Sequence, residues 1–176
     1  YDSECENSFA NENGDRYITC LNADLTLSDP EYIAATPRGN WTGKTKGGLI
    51  LSKDCGSTWE RLPMPRGLSE FIDQKLDNIE KPNVDSGWTA ISADGKRIMW
   101  AVAGGRGFSN KAVCYTDDEG KTWQKSIFTD SSGNSADEHN VKIFSDYYNS
   151  DLFFAIAERE NLGLYISRDK GATFRE

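Results

Sequence analysis

The apolar positions of this chain come in short bursts separated by polar, glycine-bearing turns. EYIAAT (31–36), GGLILS (47–52), KRIMWAVA (96–103), KAVCYT (111–116), DLFFAIAE (151–158) and LGLYIS (162–167) are rich in β-branched and aromatic residues and short for helices. Each reads as a strand. WERL and WQKSIF continue the chain after two of the turns, and RYITCL, GWTAIS and NVKIFS add further strands. The unit is strand, loop, strand, turn, strand, and it recurs along the chain. SADGKR (92–97) sets Asp-Gly between apolar runs, a hairpin signal. The period changes once. Phe71, Ile72, Leu76 and Ile79 fall at helical offsets behind Ser69 as N-cap, which predicts one short helix in an insertion over 67–84. DSSGNSADEHN (130–140) holds no apolar residue larger than Ala and reads as an exposed loop.

Three turns share the form S/T-x-D-x-G-x-T-W/F: SKDCGSTW (52–59), TDDEGKTW (116–123) and SRDKGATF (167–174). Each residue type has a local task. The carboxylates of Asp54, Asp118 and Asp169 suit acceptance of backbone N–H groups a few residues ahead. Gly56, Gly120 and Gly171 supply the positive φ of a tight turn. The hydroxyls of Ser52, Thr116 and Ser167 satisfy further loop backbone groups. Trp59, Trp123 and Phe174 return to a strand and bury a ring, and Trp100 alternates into the core from its own strand. Turn fastening therefore accounts for the three aspartates without catalysis.

Composition agrees with many short strands: of 176 residues, 16 are Gly and 11% are aromatic, enough chain for one domain. Twenty-eight acids against twenty bases give a net charge of −8. That balance argues against nucleic acid and against an anionic membrane surface, while a neutral polysaccharide is compatible. No apolar run reaches the roughly 18–20 residues that span a bilayer. The polar start, YDSECENSFANENGDRY, resembles no signal peptide and carries no initiator Met, so a mature or excised piece of a secreted protein is expected. Cys5, Cys20, Cys55 and Cys114 allow three pairings. Cys5 with Cys20 is the expected disulfide, since it would tie down a loop-rich N-terminus, and Cys114 reads as a buried thiol. With no CxxC and one His, His139, no metal site is expected, and GGRG (104–107) lacks the Lys-Ser/Thr of a phosphate loop. No cofactor is implied. Asn40-Trp41-Thr42 is a glycosylation sequon, meaningful only in a eukaryotic secretory protein.

The three turns resemble the Asp-box, or BNR repeat, of β-propeller proteins such as sialidases, sortilin-type receptors and xyloglucan-active glycosidases. SGWTAISADGKRIMWA (86–101), VCYTDDEGKTW (113–123), VKIFSDYYNSDLFFAI (141–156) and GLYISRDKGATF (163–174) are similar, in order and spacing, to the C-terminal propeller of glycoside hydrolase family 74. DLTLSDPEYIAATPRGN (24–40) is a weaker match to the preceding blade, and the resemblance covers about residues 17–176. It implies an all-β chain of about three four-stranded blades, an incomplete β-propeller with units near 17–66, 85–128 and 141–176. It also implies a plant cell-wall polysaccharide or oligosaccharide as partner.

The resemblance has gaps. Enzymes of that family face two propellers across a cleft, with one catalytic aspartate from each, in a chain several times longer. Residues 1–16 hold no counterpart of the segment carrying the acid, so the catalytic pair is expected to be absent. The third box lies at the end of the sequence, so a fourth strand for its blade is expected from elsewhere: the N-terminus, a missing segment or a partner. Sugar-binding candidates are Trp41 and Trp88, each beside polar, glycine-bearing sequence, and Asp85 near Trp88. The other readings are a sortilin-like scaffold that binds peptides and a partial propeller that completes its sheets by self-association.

Overall fold

The computed structural model describes residues 8–10, 16–18, 20–37, 48–65, 67, 87–102, 112–136, 141–157 and 163–176. Among them there is no helix. The helix expected within 67–84 and the Cys5–Cys20 pair fall outside the described residues and side chains.

A short hairpin, β1 (Ser8–Ala10) with β2 (Arg16–Ile18), precedes three larger sheets. The first runs β3 (Cys20–Thr26), β4 (Asp29–Pro37), β5 (Ile50–Ser52) and β6 (Glu60–Arg61), each antiparallel to the next. The second has the same meander: β7 (Trp88–Ile91), β8 (Ile98–Ala101), β9 (Val113–Thr116) and β10 (Gln124–Lys125). The third contains β12 (Val141–Ser145), β13 (Phe153–Ala157), β14 (Gly163–Ser167) and β15 (Thr173–Arg175), with β11 (Ile127–Thr129) added outside β15.

Two expectations are corrected here. The chain supplies the fourth strand of the third sheet itself, as β15, which meets β14 through Ile166 and Arg175. WQKSIF is two strands rather than one, because its hydrogen bonding passes from one sheet to the next. The buried Ser126 N–H still donates to Val113 O of the second sheet at 2.8 Å. One residue later, Ile127 N–H donates to Ala172 O of the third sheet at 3.0 Å. From there β11 runs parallel to β15, pairing Phe128 with Phe174.

The second sheet is buried on both faces, which explains why IMWA is apolar without alternation. Ile98, Met99, Trp100 and Ala101 are each no more than 1% exposed. Ile98 and Trp100 join Ala34, Leu49 and Leu51 in a core against the first sheet. Met99 and Ala101 join Ile143, Phe153, Tyr165 and Phe174 in a core against the third. Phe128 stacks on Phe174 with ring centroids 4.6 Å apart, so the crossing strand also brings a core residue. The Cys114 thiol is buried and donates to Trp100 O at 3.4 Å.

The SADGKR turn closes by Gly95 N–H to Ser92 O at 2.8 Å and Ser92 N–H to Arg97 O at 2.9 Å. Gly95 takes the positive φ of 71°.

Candidate functional site

Three groups of side chains bear on function: the repeated turns, a seam of polar residues between the first strands of the sheets, and a charged cleft between the turns.

The turns are built alike. In the first, Ser52 Oγ donates to Asp54 Oδ1 at 2.8 Å and accepts Gly56 N–H at 2.8 Å. Asp54 then receives Thr58 N–H on Oδ1 at 2.8 Å and the Thr58 hydroxyl on Oδ2 at 2.7 Å. Thr116, Asp118, Gly120 and Thr122 repeat this set. So do Ser167, Asp169, Gly171 and Thr173. Both oxygens of each carboxylate are engaged within the turn. Bonds from Thr58 hold the Asp54 carboxyl below the ordinary carboxylate range, and those from Thr122 do the same for Asp118. At Asp169 burial opposes the shift, but the bonds from Thr173 and Ser167 outweigh it. Such carboxylates are charged, fixed acceptors, poor candidates for donating or taking a proton near neutral pH.

The residue before each turn glycine also takes the left-handed conformation: Cys55 at φ 57°, Glu119 at 56° and Lys170 at 60°. Sequence pattern assigned that burden to the glycines alone. The rings differ among the turns. Phe174 is fully buried, whereas Trp59 and Trp123, expected in the core, are half-buried. The reason lies in their N–H groups, which need acceptors at the surface: Gly56 O for Trp59 at 2.9 Å, and Pro63 O of the preceding sheet for Trp123 at 2.9 Å.

The seam was not anticipated. Strand alternation puts Asn22 and Asp24 on one face of β3. Asn22 Oδ1 accepts Thr89 N–H at 2.7 Å, and Asp24 Oδ2 accepts Ile91 N–H at 2.8 Å, so both cap the free edge of β7. Asp24 Oδ2 also accepts the Ser145 hydroxyl of β12 at 3.0 Å. One carboxylate thus joins all three sheets. Burial raises its pKa, against the hydrogen bonds from Ile91, Ser145 and Leu25 that lower it. The polar pair two residues apart in LNADLT was the available signal, but polarity on a strand does not name a partner.

Trp88 begins β7, beside this seam. It is half-buried, with the Lys142 ammonium 5.1 Å from its ring centroid. Its indole Nε1 is buried and has no hydrogen-bond acceptor among the described residues. Trp41 and Asp85, the other sugar-binding candidates, lie outside the described residues, as does His139.

The cleft holds about 470 Å³ and is lined by Asp29, Tyr32, Asp94, Arg97, Asp117, Glu119 and Lys170 among others. Its charges are largely paired. Arg97 binds both oxygens of Asp117 at 2.7 and 2.5 Å, donates to Lys170 O at 2.7 Å, and lies 4.1 Å from the centre of the Tyr115 ring. Lys53 of the first turn meets Glu119 of the second at 2.7 Å. Tyr32 has its phenol pKa pushed up by burial and by Glu119. These groups tie neighbouring turns together.

The second turn matches the BNR/Asp-box repeat family over residues 115–125. No curated protein matches the chain by sequence. Among solved structures, the GH74 xyloglucanase of Xanthomonas campestris superposes on 92% of this chain with a TM-score of 0.60 and 20% identity. The GH74 enzyme of Niastella koreensis does so on 92% with a TM-score of 0.58 and 18% identity. The fold is an incomplete β-propeller of three blades. It spans about a fifth of those enzymes, 19% and 20% of their chains. At such identity the likeness concerns the fold. Each large sheet is a blade, each Asp-box is the hairpin joining its third and fourth strands, and the seam is where innermost strands meet. Among the described residues no helix is long and apolar enough to cross a membrane.

Proposed function

We propose that this chain is a propeller module of a secreted, xyloglucan- or β-glucan-directed protein of glycoside hydrolase type, with blades near 17–66, 85–128 and 141–176. It contributes scaffold and glycan contact rather than a catalytic carboxylate pair. The likeness to two GH74 propellers supports the class of partner. The engagement of Asp54, Asp118 and Asp169 within their own turns supports a module without acid–base chemistry at the boxes.

The observation that carries the glycan reading is Trp88. It sets a part-exposed aromatic ring and a nearby ammonium at the head of the middle blade's innermost strand. Sugar rings pack their apolar faces on aromatic side chains, so a part-exposed ring at this place suits a glycan. Trp41 and Asp85 extend the proposed contact. Titration with xyloglucan oligosaccharide is expected to change Trp fluorescence saturably, and Trp88→Ala is expected to abolish most of that change while the fold persists. No change at millimolar oligosaccharide sinks the glycan reading. Release of reducing sugar from xyloglucan, reproducible with the purified chain, overturns the non-catalytic one.

A further inference from the structure

The turns that follow β3, β7 and β12 meet at one end of the seam. Ile33, Ile98 and Phe153 each pair on one side with the first residue of a box, Ser52, Thr116 and Ser167. On the other side they pair with Leu25, Ile91 and Ser145, which therefore stand at matching places in the three blades. Asp24 Oδ2 draws these strand ends together, since it receives both Ile91 N–H and the Ser145 hydroxyl. Two residues further on, Leu27, Ala93 and Tyr147 hold corresponding positions in the turns. The first turn is clamped to the second, where the Thr26 and Ser28 hydroxyls donate to Ala93 O at 2.5 and 2.7 Å.

The third turn carries two aromatic rings at this end. Tyr147 is 53% and Tyr148 89% exposed. Among the described residues neither phenol is hydrogen-bonded. Their exposure belongs to the turn and not to the open side of the third blade. The second blade is packed on both faces, yet Lys96 of its turn is exposed, as Leu27 is in the first. The backbone beneath the rings is braced. Asp146 Oδ1 accepts the N–H groups of Tyr148 and Asn149, each at 2.8 Å. Asp146 N–H donates to Leu152 O at 3.0 Å, and Lys170 N–H donates to Asp151 O at 3.0 Å, fastening the turn to the third box. Rings on such a backbone meet a ligand with little ordering left to lose.

Tyrosine offers an apolar ring face and a hydroxyl that both donates and accepts. Asp146 and Asp151 flank the pair, and the Asp151 side chain is 60% exposed. With the net charge of −8, these carboxylates disfavour an anionic ligand and can accept hydroxyl hydrogens. Two rings on one turn fall far short of the roughly 800 Å² per partner of a stable protein interface. A neutral, hydroxyl-rich chain with flat apolar faces meets these conditions. We propose that Tyr147 and Tyr148 form a second glycan contact, taking a neutral β-glucan chain at the end of the seam opposite Trp88. Trp88 pairs with Ala101, three residues from the Ile91–Ile98 pair that borders the turn, a separation of roughly 10 Å along the strand. The class of ligand rests on the glycan reading above, whereas the place of contact rests on the exposure and bracing of this turn.

Electrophoresis of the whole chain through gels containing soluble xyloglucan tests this. Tyr147→Ala combined with Tyr148→Ala is expected to weaken retardation about three- to tenfold. Both side chains are exposed, so the far-UV spectrum and the urea midpoint are expected to stay unchanged. Trp88→Ala is expected to weaken retardation in part, and the triple variant to migrate as in a gel without polysaccharide. Added salt is expected to leave retardation unchanged, because the ligand carries no charge to screen. Loss in Trp88→Ala with full retardation in the tyrosine variant overturns this contact and spares the glycan reading. No retardation of the unsubstituted chain overturns both. Retardation that salt abolishes overturns the neutral ligand.

Discussion

The Ser126 hydroxyl donates to the carbonyl of Gly171 at 2.7 Å, and this bond lies where the chain leaves the second blade for the third. The hydroxyl and the carbonyl belong to different sheets and are both buried, so neither is offered water in place of its partner. Ser126→Ala leaves the carbonyl without that donor and is expected to destabilise the chain by about 1–2 kcal/mol, read from the urea midpoint. An unchanged midpoint would show that the crossing is held by β11 pairing alone.

Gly171 also makes a steric prediction. It has φ 79°, and a Cβ there would overlap the Met99 side chain of the second blade. Gly133 has a similar φ of 83°, but a Cβ there meets nothing within 4 Å. Gly133→Ala is therefore expected to cost about 1 kcal/mol of backbone strain, and Gly171→Ala about 1–3 kcal/mol more from overpacking. Thermal unfolding of the two variants side by side checks the difference.

Cys55 is an exposed thiol held at φ 57°. Asn adopts the left-handed region with less strain than Cys, because its short amide bonds locally. Cys55→Asn is expected to raise stability by about 0.5–1 kcal/mol, and Cys55→Val to lower it, as measured by urea unfolding under reducing conditions.

The buried hydroxyl of Ser167 receives the Gly171 N–H in a buried bond, whereas the matching Ser52–Gly56 bond is only part-buried. Removing Ser167 strands a donor away from water. Ser167→Ala is expected to cost about 1–3 kcal/mol, with Ser52→Ala costing less. Equal losses would mean that burial of the third box adds nothing to its hydrogen bonds.

The aspartates divide by the sign of their shifts. Asp54, Asp118 and Asp169 lie below the ordinary value of 3.8, so each stabilises the fold above that pH, and the benefit is lost as pH falls through the folded value. Asp24 lies above 3.8: the folded state holds its proton more tightly, and stability falls as pH rises from 3.8 through the folded value. Asp24→Asn is expected to remove the decline above pH 3.8 and leave the acid limb in place. Urea midpoints measured across the acid range read both limbs. Retention of the upper decline in Asp24→Asn would assign it to another group.

Much of the fold was legible because its parts are local. Every bond inside an Asp-box joins residues two to four apart, so Ser52, Asp54, Gly56 and Thr58 display the motif in one short window. The strands showed themselves by apolar bursts, and sequence repetition marked the blades. Trp88 was singled out as a candidate contact, but the Lys142 beside it comes from another blade.

The sequence by itself determined the all-β class, the three hairpins and the roles of their aspartates, since these depend on interactions within a few residues. Tertiary structure decided where the blades join. Ser126 finds Gly171 at a separation of 45 residues, while Asp24 finds Ile91 at 67 and Ser145 at 121. Over such distances residue type names a donor or an acceptor but not its partner, because only packing of one sheet on another brings the two within hydrogen-bonding reach.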